Sequence, residues 1–236
     1  MRHDPPLIPA TLIRRYKRFL ADVRLPTGEM LTVHTPNTGR MLGLTTPGSR
    51  IWLKDSRNPA RKYRYSWVMA SSEAGTPVSV DTHLANALVI EAIENGTLAE
   101  LQGYSRLRTE VRYGEENSRI DILLEEGDAR CYVEVKNVTA LVDGGQAIFP
   151  DAVSARGSRH LRELMAMKRQ GARAVLVFAV MREDARGFAP ADDIDPDYGR
   201  HLREALAAGV EVLAYRARIT PGELRLTMRL PVSPSL

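Results

Sequence analysis

The stretch SRIDILLEEGDARCYVEVKN, residues 118–137, decides how this chain is read. Closed by Gly127 and Asp128, it reads as a β-hairpin whose paired residue numbers sum to 255, which sets Asp121 across from Glu134 on one sheet face. Directly opposed like charges destabilise a strand pair by up to about 1 kcal/mol. Folding alone does not ask for this arrangement, and a cation between the two carboxylates is its simplest reason. Strand side chains alternate, so Lys136 shares a face with Glu134 while Val133 and Val135 point to the other. The outcome is a D-x12-E-x-K pattern on adjacent strands, flanked by apolar Ile120, Ile122, Leu123 and Leu124.

The chemistry that uses such a set is metal-assisted phosphodiester hydrolysis. Carboxylate oxygens suit Mg2+ or Mn2+, which can activate a water, polarise a phosphoryl oxygen and stabilise the leaving alkoxide. Asp121 and Glu134 are the expected metal ligands, and Lys136 completes the expected catalytic set by orienting water or meeting charge on the phosphate. The alternative is a solvated hairpin face on which Lys136 only neutralises Glu134.

Around the hairpin the element pattern is that of an α/β domain. HLANALVIEAIENG predicts a helix opened by Asp81 or Thr82 and ended by Asn95 and Gly96. Strands are expected near 105–113, 118–126 and 130–137, then a helix over 152–170, a strand over 173–181, a helix over 197–208, and strands over 210–216 and 224–230. Helix, three strands, helix, strand is the core order of the PD-(D/E)xK nuclease fold. Glu91 lies on the apolar stripe of the first helix and is a supplementary metal-ligand candidate, the alternative being a salt bridge to a nearby arginine. Glu110 belongs to an exposed or phosphate-facing row with Arg106, Arg108 and Arg112. Asp151 reads as an N-cap, and Arg156 and His160, one helical turn apart, can face a phosphate together. His160 has a structural alternative beside Leu161 and Leu164. The acidic run ADDIDPDYGR, 191–200, reads as a helix-capping loop rather than a calcium site.

Ahead of this lies a different pattern. Residues 11–80 carry the short β-like runs FLADVRL, MLTVHT, RIWLK, YSWVMA and PVSV, punctuated by PTG, PNTG, TPGS and SRNPA. Five runs fit an OB-fold or another small barrel. The expected division is 1–83 for the barrel and 84–236 for the α/β domain. Net charge is +4, yet residues 1–83 hold 13 basic and 6 acidic residues, so the excess is N-terminal. Arg14, Arg15, Lys17 and Arg18 surround Tyr16 and Phe19, and Arg61, Lys62 and Arg64 interleave with Tyr63, Tyr65 and Trp67. Cations attract phosphates and aromatic faces stack on unpaired bases, so these residues are the expected nucleic-acid contacts. The alternative places Phe19, Trp52 and Trp67 in the barrel core. In HTPNTG, His34 and Asn37 are candidate ligand contacts, although turn formation by Pro36, Asn37 and Gly39 is the first reading of the segment.

The composition is that of a globular protein, with 44% hydrophobic residues, and its one cysteine, Cys131, has no partner for an internal disulfide. The N-terminus lacks a signal-peptide core and the run AVLVFAVM is too short to span a bilayer, so a cytoplasmic protein with no membrane contact is expected. No phosphate-binding P-loop, dinucleotide fingerprint, zinc-ligand spacing, catalytic-triad signature or internal repeat is present.

PNTGRM (36–41), SRIDILL (118–124), CYVEVKN (131–137), FPDAVSARGSRHLRELM (149–165) and GVEVLAY (209–215) resemble the sugar fermentation stimulation protein (SfsA) family from about Tyr16 to Leu230. The resemblance departs at Ser154, where threonine is expected. It implies an N-terminal OB-fold followed by a PD-(D/E)xK nuclease-like domain, with Asp121, Glu134 and Lys136 in the nuclease positions. It also implies largely sequence-independent binding of DNA and a part in regulating maltose metabolism. Two function classes follow: a Mg2+- or Mn2+-dependent nuclease acting on DNA or RNA, and a non-enzymatic DNA-binding regulator. Acids that repel phosphate are of no use to a purely binding module, which favours the nuclease.

Overall fold

The computed structural model describes residues 1–114 and 118–233. The N-terminal half is a barrel of β1 (Ile8–Tyr16), β2 (Leu20–Arg24), β3 (Met30–His34), β4 (Arg50–Asp55) and β5 (Tyr65–Ser71), with β6 (Pro77–Ser79) added at one edge. Its order is β3-β2-β1-β4-β5-β6, and a parallel pairing of His34 with Ser66 joins β3 to β5 and closes the circle. This is a five-stranded OB barrel, as expected. Its first strand, however, is IPATLIRRY, so the run bearing Arg14 and Arg15 is itself a strand beside the expected runs. Leu12, Val23, Ile51, Leu53 and Trp67 fill the interior.

The second half builds a six-stranded sheet in the order β15-β14-β12-β9-β8-β7, from β7 (Arg106–Tyr113), β8 (Ser118–Glu126), β9 (Ala129–Val138), β12 (Arg173–Val180), β14 (Glu211–Ile219) and β15 (Leu224–Leu230). Strands β9, β12 and β14 run parallel, and the central β12 is buried along almost its whole length, as a parallel strand covered on both faces is. Helix α1 (Leu84–Glu94) covers one face; α2 (Ala155–Arg169) and α3 (Pro196–Ala207) cover the other. A small three-stranded sheet of β10 (Ala140–Val142), β11 (Gln146–Phe149) and β13 (Gly187–Pro190) lies alongside.

Local signals set most of the ends. Helix α1 stops at Asn95, with Gly96 at φ +79°, where glycine avoids the left-handed penalty. Helix α3 opens through Asp195, whose side chain accepts from the Tyr198 amide, with Pro196 in the first turn, so the acidic run is a capping loop. The N-cap of α2 is Ser154, accepting from the Gly157 amide at 3.1 Å, and not Asp151. Asp151 instead accepts from the Met41 amide at 3.0 Å, tying the second half to the PNTGRM loop of the barrel.

The two halves share a core. Leu7, Trp52, Val68 and Met69 of the barrel pack in one cluster with α1, β9, β12 and β15. Residues 1–3 leave the barrel to hydrogen-bond with the β14–β15 turn, through the His3 amide to Gly222 and the Leu224 amide to Met1. Both tryptophans are buried, so neither offers a face to a ligand; Phe19 is the exposed aromatic of that set.

Candidate functional site

The 118–137 hairpin has the expected register. Ile122 pairs with Val133, Leu123 with Tyr132 and Leu124 with Cys131, all summing to 255. The ladder stops one pair short of Asp121 and Glu134. There the strands part, and the Asp121 carboxylate takes the place of a backbone acceptor, receiving the Val135 amide at 2.8 Å and the Asn86 side-chain amide of α1 at 2.9 Å. Alternation breaks at the same point: Ile122 packs with α1, but Ile120 packs with α2 and α3. On the other side, the β7–β8 ladder skips Glu110 opposite Asp121, and Glu110 has φ +54° and an exposed side chain. A local disruption in two ladders therefore sets the direction of Asp121.

Glu134 is 1% exposed, on the face that meets α2. Its Oε1 accepts from Lys136 Nζ at 2.7 Å and is in close contact with His160 Nδ1. His160 is also buried, and its Nε2 accepts from Arg156 Nε at 3.3 Å. Its Nδ1 also lies 3.1 Å from Lys136 Nζ, so imidazole, ammonium and the Glu134 carboxylate meet at one point. The helical turn between Arg156 and His160 thus builds a relay from the exposed arginine through the imidazole to Glu134. Glu134 Oε2 is buried and has no hydrogen-bond partner among the described residues.

Electrostatics separate the two acids. Burial raises the Asp121 carboxyl above its ordinary range, and the negative charge of Glu134 adds to that. Burial also works against the Glu134 carboxylate, but the Lys136 charge and the His160 contact outweigh it and bring that group below its ordinary range. Tyr113, stacked on Tyr132, is raised by burial and by Glu134, Glu163 and Asp121, which locates three acids around one phenol.

Three members of this group were not singled out from sequence: Asn86, Tyr113 and Glu163. Glu163 is 3% exposed, three residues after His160 on the apolar face of α2, and that pair of polar residues on a buried stripe was the available signal. Glu91 is not brought to the group. It binds the Met1 amine at 2.9 Å with its carboxylate 37% exposed, so it has an ionic partner in place of the metal or arginine expected.

The donor set fits a divalent cation. An orphaned buried carboxylate oxygen costs roughly 1–3 kcal/mol, and a cation against Glu134 Oε2 and Asp121 would offset both that cost and the repulsion between the acids. Among the described residues no group of three or more His, Cys, Asp or Glu side chains is arranged to hold a metal. Two carboxylates with the remaining positions left to water and phosphate is how Mg2+ is commonly held.

The expected nucleic-acid residues divide by what they already hold. Arg15 is half-buried, and its guanidinium donates to the carbonyls of Arg18, Asn37, Gly39 and Arg40, which fixes the PNTG loop. Asn37 forms the turn as expected, its side chain accepting from the Gly39 amide. Arg14 pairs with Asp22, and Arg64 grips Asp55 through two bonds and holds its carboxyl at about 2. Lys17 and Arg18 occupy the left-handed β1–β2 turn, with Arg18 donating to Thr38. Arg61 and Lys62 are exposed on the β4–β5 loop, Lys62 over the ring of Tyr63, and Arg156 is exposed at the start of α2. No helix among the described residues is long and apolar enough to cross a membrane.

Comparison with known proteins agrees with this architecture. Residues 13–80 match the family model described as the SfsA N-terminal OB domain, and residues 83–223 match that of the sugar fermentation stimulation protein RE domain. The sugar fermentation stimulation protein homolog of Geobacter metallireducens is 58% identical over 98% of this chain and 99% of its own. That of Thioalkalivibrio sulfidiphilus is 58% identical over 100% and 99%. The solved structure of Pyrococcus furiosus SfsA in complex with Ca2+ aligns with a TM-score of 0.88 at 32% identity, covering 99% of this chain and 98% of that one. Two adjoining family models and full-length relatives leave one assignment: the chain belongs to the sugar fermentation stimulation protein family.

Proposed function

We propose that this protein is a divalent-metal-dependent nuclease, with the barrel holding a nucleic-acid strand and the α/β domain cutting it. The observation that carries this reading is Glu134, a buried carboxylate with one oxygen on Lys136 and His160 and the other unpartnered among the described residues, next to Asp121 at the point where the hairpin parts. A scaffold kept for shape alone has no need for a buried acid left half-satisfied. The relative crystallised with Ca2+ supports a cation of this class, and Mg2+ or Mn2+ is the proposed ion here.

In this reading Glu134 and Asp121 hold the ion, which supplies charge to a phosphoryl oxygen and lowers the pKa of a bound water. Asn86 and the Val135 amide orient Asp121. His160, steadied by Arg156, fixes the rotamer of Glu134 and leaves its second oxygen pointing away from the imidazole. Lys136, whose side chain is 12% exposed, is placed to meet the negative charge that grows on the phosphate in the transition state.

The test is incubation of the purified protein with single- and double-stranded DNA and RNA, with Mg2+ or Mn2+ against EDTA. Cleavage that needs the metal is the expected result. A wild-type protein that binds these substrates but cuts none of them with either ion overturns the nuclease and leaves a DNA-binding regulator.

A further inference from the structure

Among the barrel cations, Arg14 pairs with Asp22, Arg57 with Asp4 and Arg64 with Asp55, and Arg15 donates to carbonyls. Lys54 and Arg61 are among those that form no ion pair within the described residues, and they share a recess. They line one pocket of about 290 Å³ together with His34, His83 and the hydroxyl-bearing Ser56. The pocket lies at the seam where β3 meets β5, against the residues that open α1. Its one carboxylate, Asp81, is turned to the His83 amide at 3.1 Å. Burial holds His34 below its ordinary range, and the charges of Arg61 and His83 add to that, so these groups converge electrostatically.

We propose that this pocket is a phosphate subsite, in which Lys54, Arg61, His34 and His83 take one phosphate of a nucleic-acid strand between barrel and α1. A volume near the lower end of ligand pockets suits a phosphate with its flanking sugars and not a bulky cofactor. Unpaired cations around a recess have no folding purpose, whereas a phosphate answers their mutual repulsion. Pro36 lines both this pocket and a second cleft that reaches Asn137, the neighbour of Lys136. A strand anchored here is therefore led along the junction of the halves towards the candidate site. The proposal rests on the nucleic-acid part of the reading above and is independent of cleavage.

The test compares wild type with Lys54→Ala/Arg61→Ala by fluorescence anisotropy on a short labelled single strand over a range of salt. Affinity should fall on the order of tenfold and the log–log salt slope by about 0.7, the value for one neutralised phosphate on single-stranded nucleic acid. Lys54→Arg/Arg61→Lys should restore both, which separates lost charge from misfolding. Inorganic phosphate should shift the His34 and His83 ring resonances saturably in wild type and not in the alanine variant, with chloride at equal ionic strength as the control. An unchanged salt slope, or ring shifts that chloride reproduces, overturns the subsite. Absence of cleavage by the wild type would remove the nuclease but leave both of these readouts in place.

Discussion

At the scale of single residues, the candidate site is a set of unequal acids. In the proposed nuclease the Lys136 charge acts on the transition state, so Lys136→Ala should lower metal-dependent cleavage by at least about 100-fold. DNA affinity should barely move, because one lysine is a small part of a distributed interface. Glu134→Gln should also abolish cleavage, through lost metal affinity, while DNA binds slightly more tightly once a negative charge has gone. Gel assays of cleavage beside anisotropy of binding separate the two effects. Asp121 carries a cost to the fold. Its carboxyl is raised by burial and by Glu134, so the native state holds that proton more tightly than the unfolded chain does. Its contribution to stability is therefore full below the ordinary aspartate range and lost as pH rises through the raised value. Asp121→Asn removes the buried charge and keeps an acceptor for Val135 or Asn86, so its denaturation midpoint at neutral pH should exceed that of wild type while cleavage disappears. An unchanged or lower midpoint, measured by urea titration at pH 5 and pH 8, would contradict this.

At the scale of elements, the parts written locally in the sequence could be read and the parts made by distant pairing could not. The 118–137 hairpin, the ends of α1 and the cap of α3 follow from turn residues, period-2 alternation and capping side chains. Strand β13, 4 residues long, pairs with the distant β11, so no local pattern marked it. Strands β10 and β11, 3 and 4 residues long, form a short hairpin around Gly144 and Gly145 that is too brief to show alternation. The break at Asp121 was hidden for a related reason. Alternation put Asp121 on the face of Glu134, but the strand direction there is set by Asn86 on a helix 35 residues away. At the start of α2, Asp151 and Ser154 both had the chemistry of a cap. Asp151 is claimed by Met41 on the barrel, and Ser154 is left to do the capping. Ser154→Ala should cost about 1 kcal/mol in chemical denaturation, the usual value of a lost N-cap. A loss of less than a few tenths would show that the Asp195 carboxylate, which accepts the Ser154 amide at 2.7 Å, holds that end of the helix unaided.

At the scale of the whole molecule, the boundary near residue 83 is a change of architecture more than a place to cut. Leu7, Trp52, Val68 and Met69 reach from the barrel into the cluster under α1, and residues 1–3 pair with the β14–β15 turn. The protein should therefore unfold in one cooperative transition, with tryptophan fluorescence and far-ultraviolet circular dichroism coincident in urea. Two separated transitions would show that the shared cluster is too weak to couple the halves. The same layout fixes an order of events during synthesis. A ribosome delivers the barrel first, then the hairpin carrying Asp121 and Glu134, and only afterwards α2 with His160 and the central strand β12 beside β9. While the chain is still tethered, the acids have neither their imidazole nor their sheet. A nascent chain surrounded by messenger and ribosomal RNA thus carries its acids apart from the parts that arm them, and the relay closes only when most of the polypeptide has emerged.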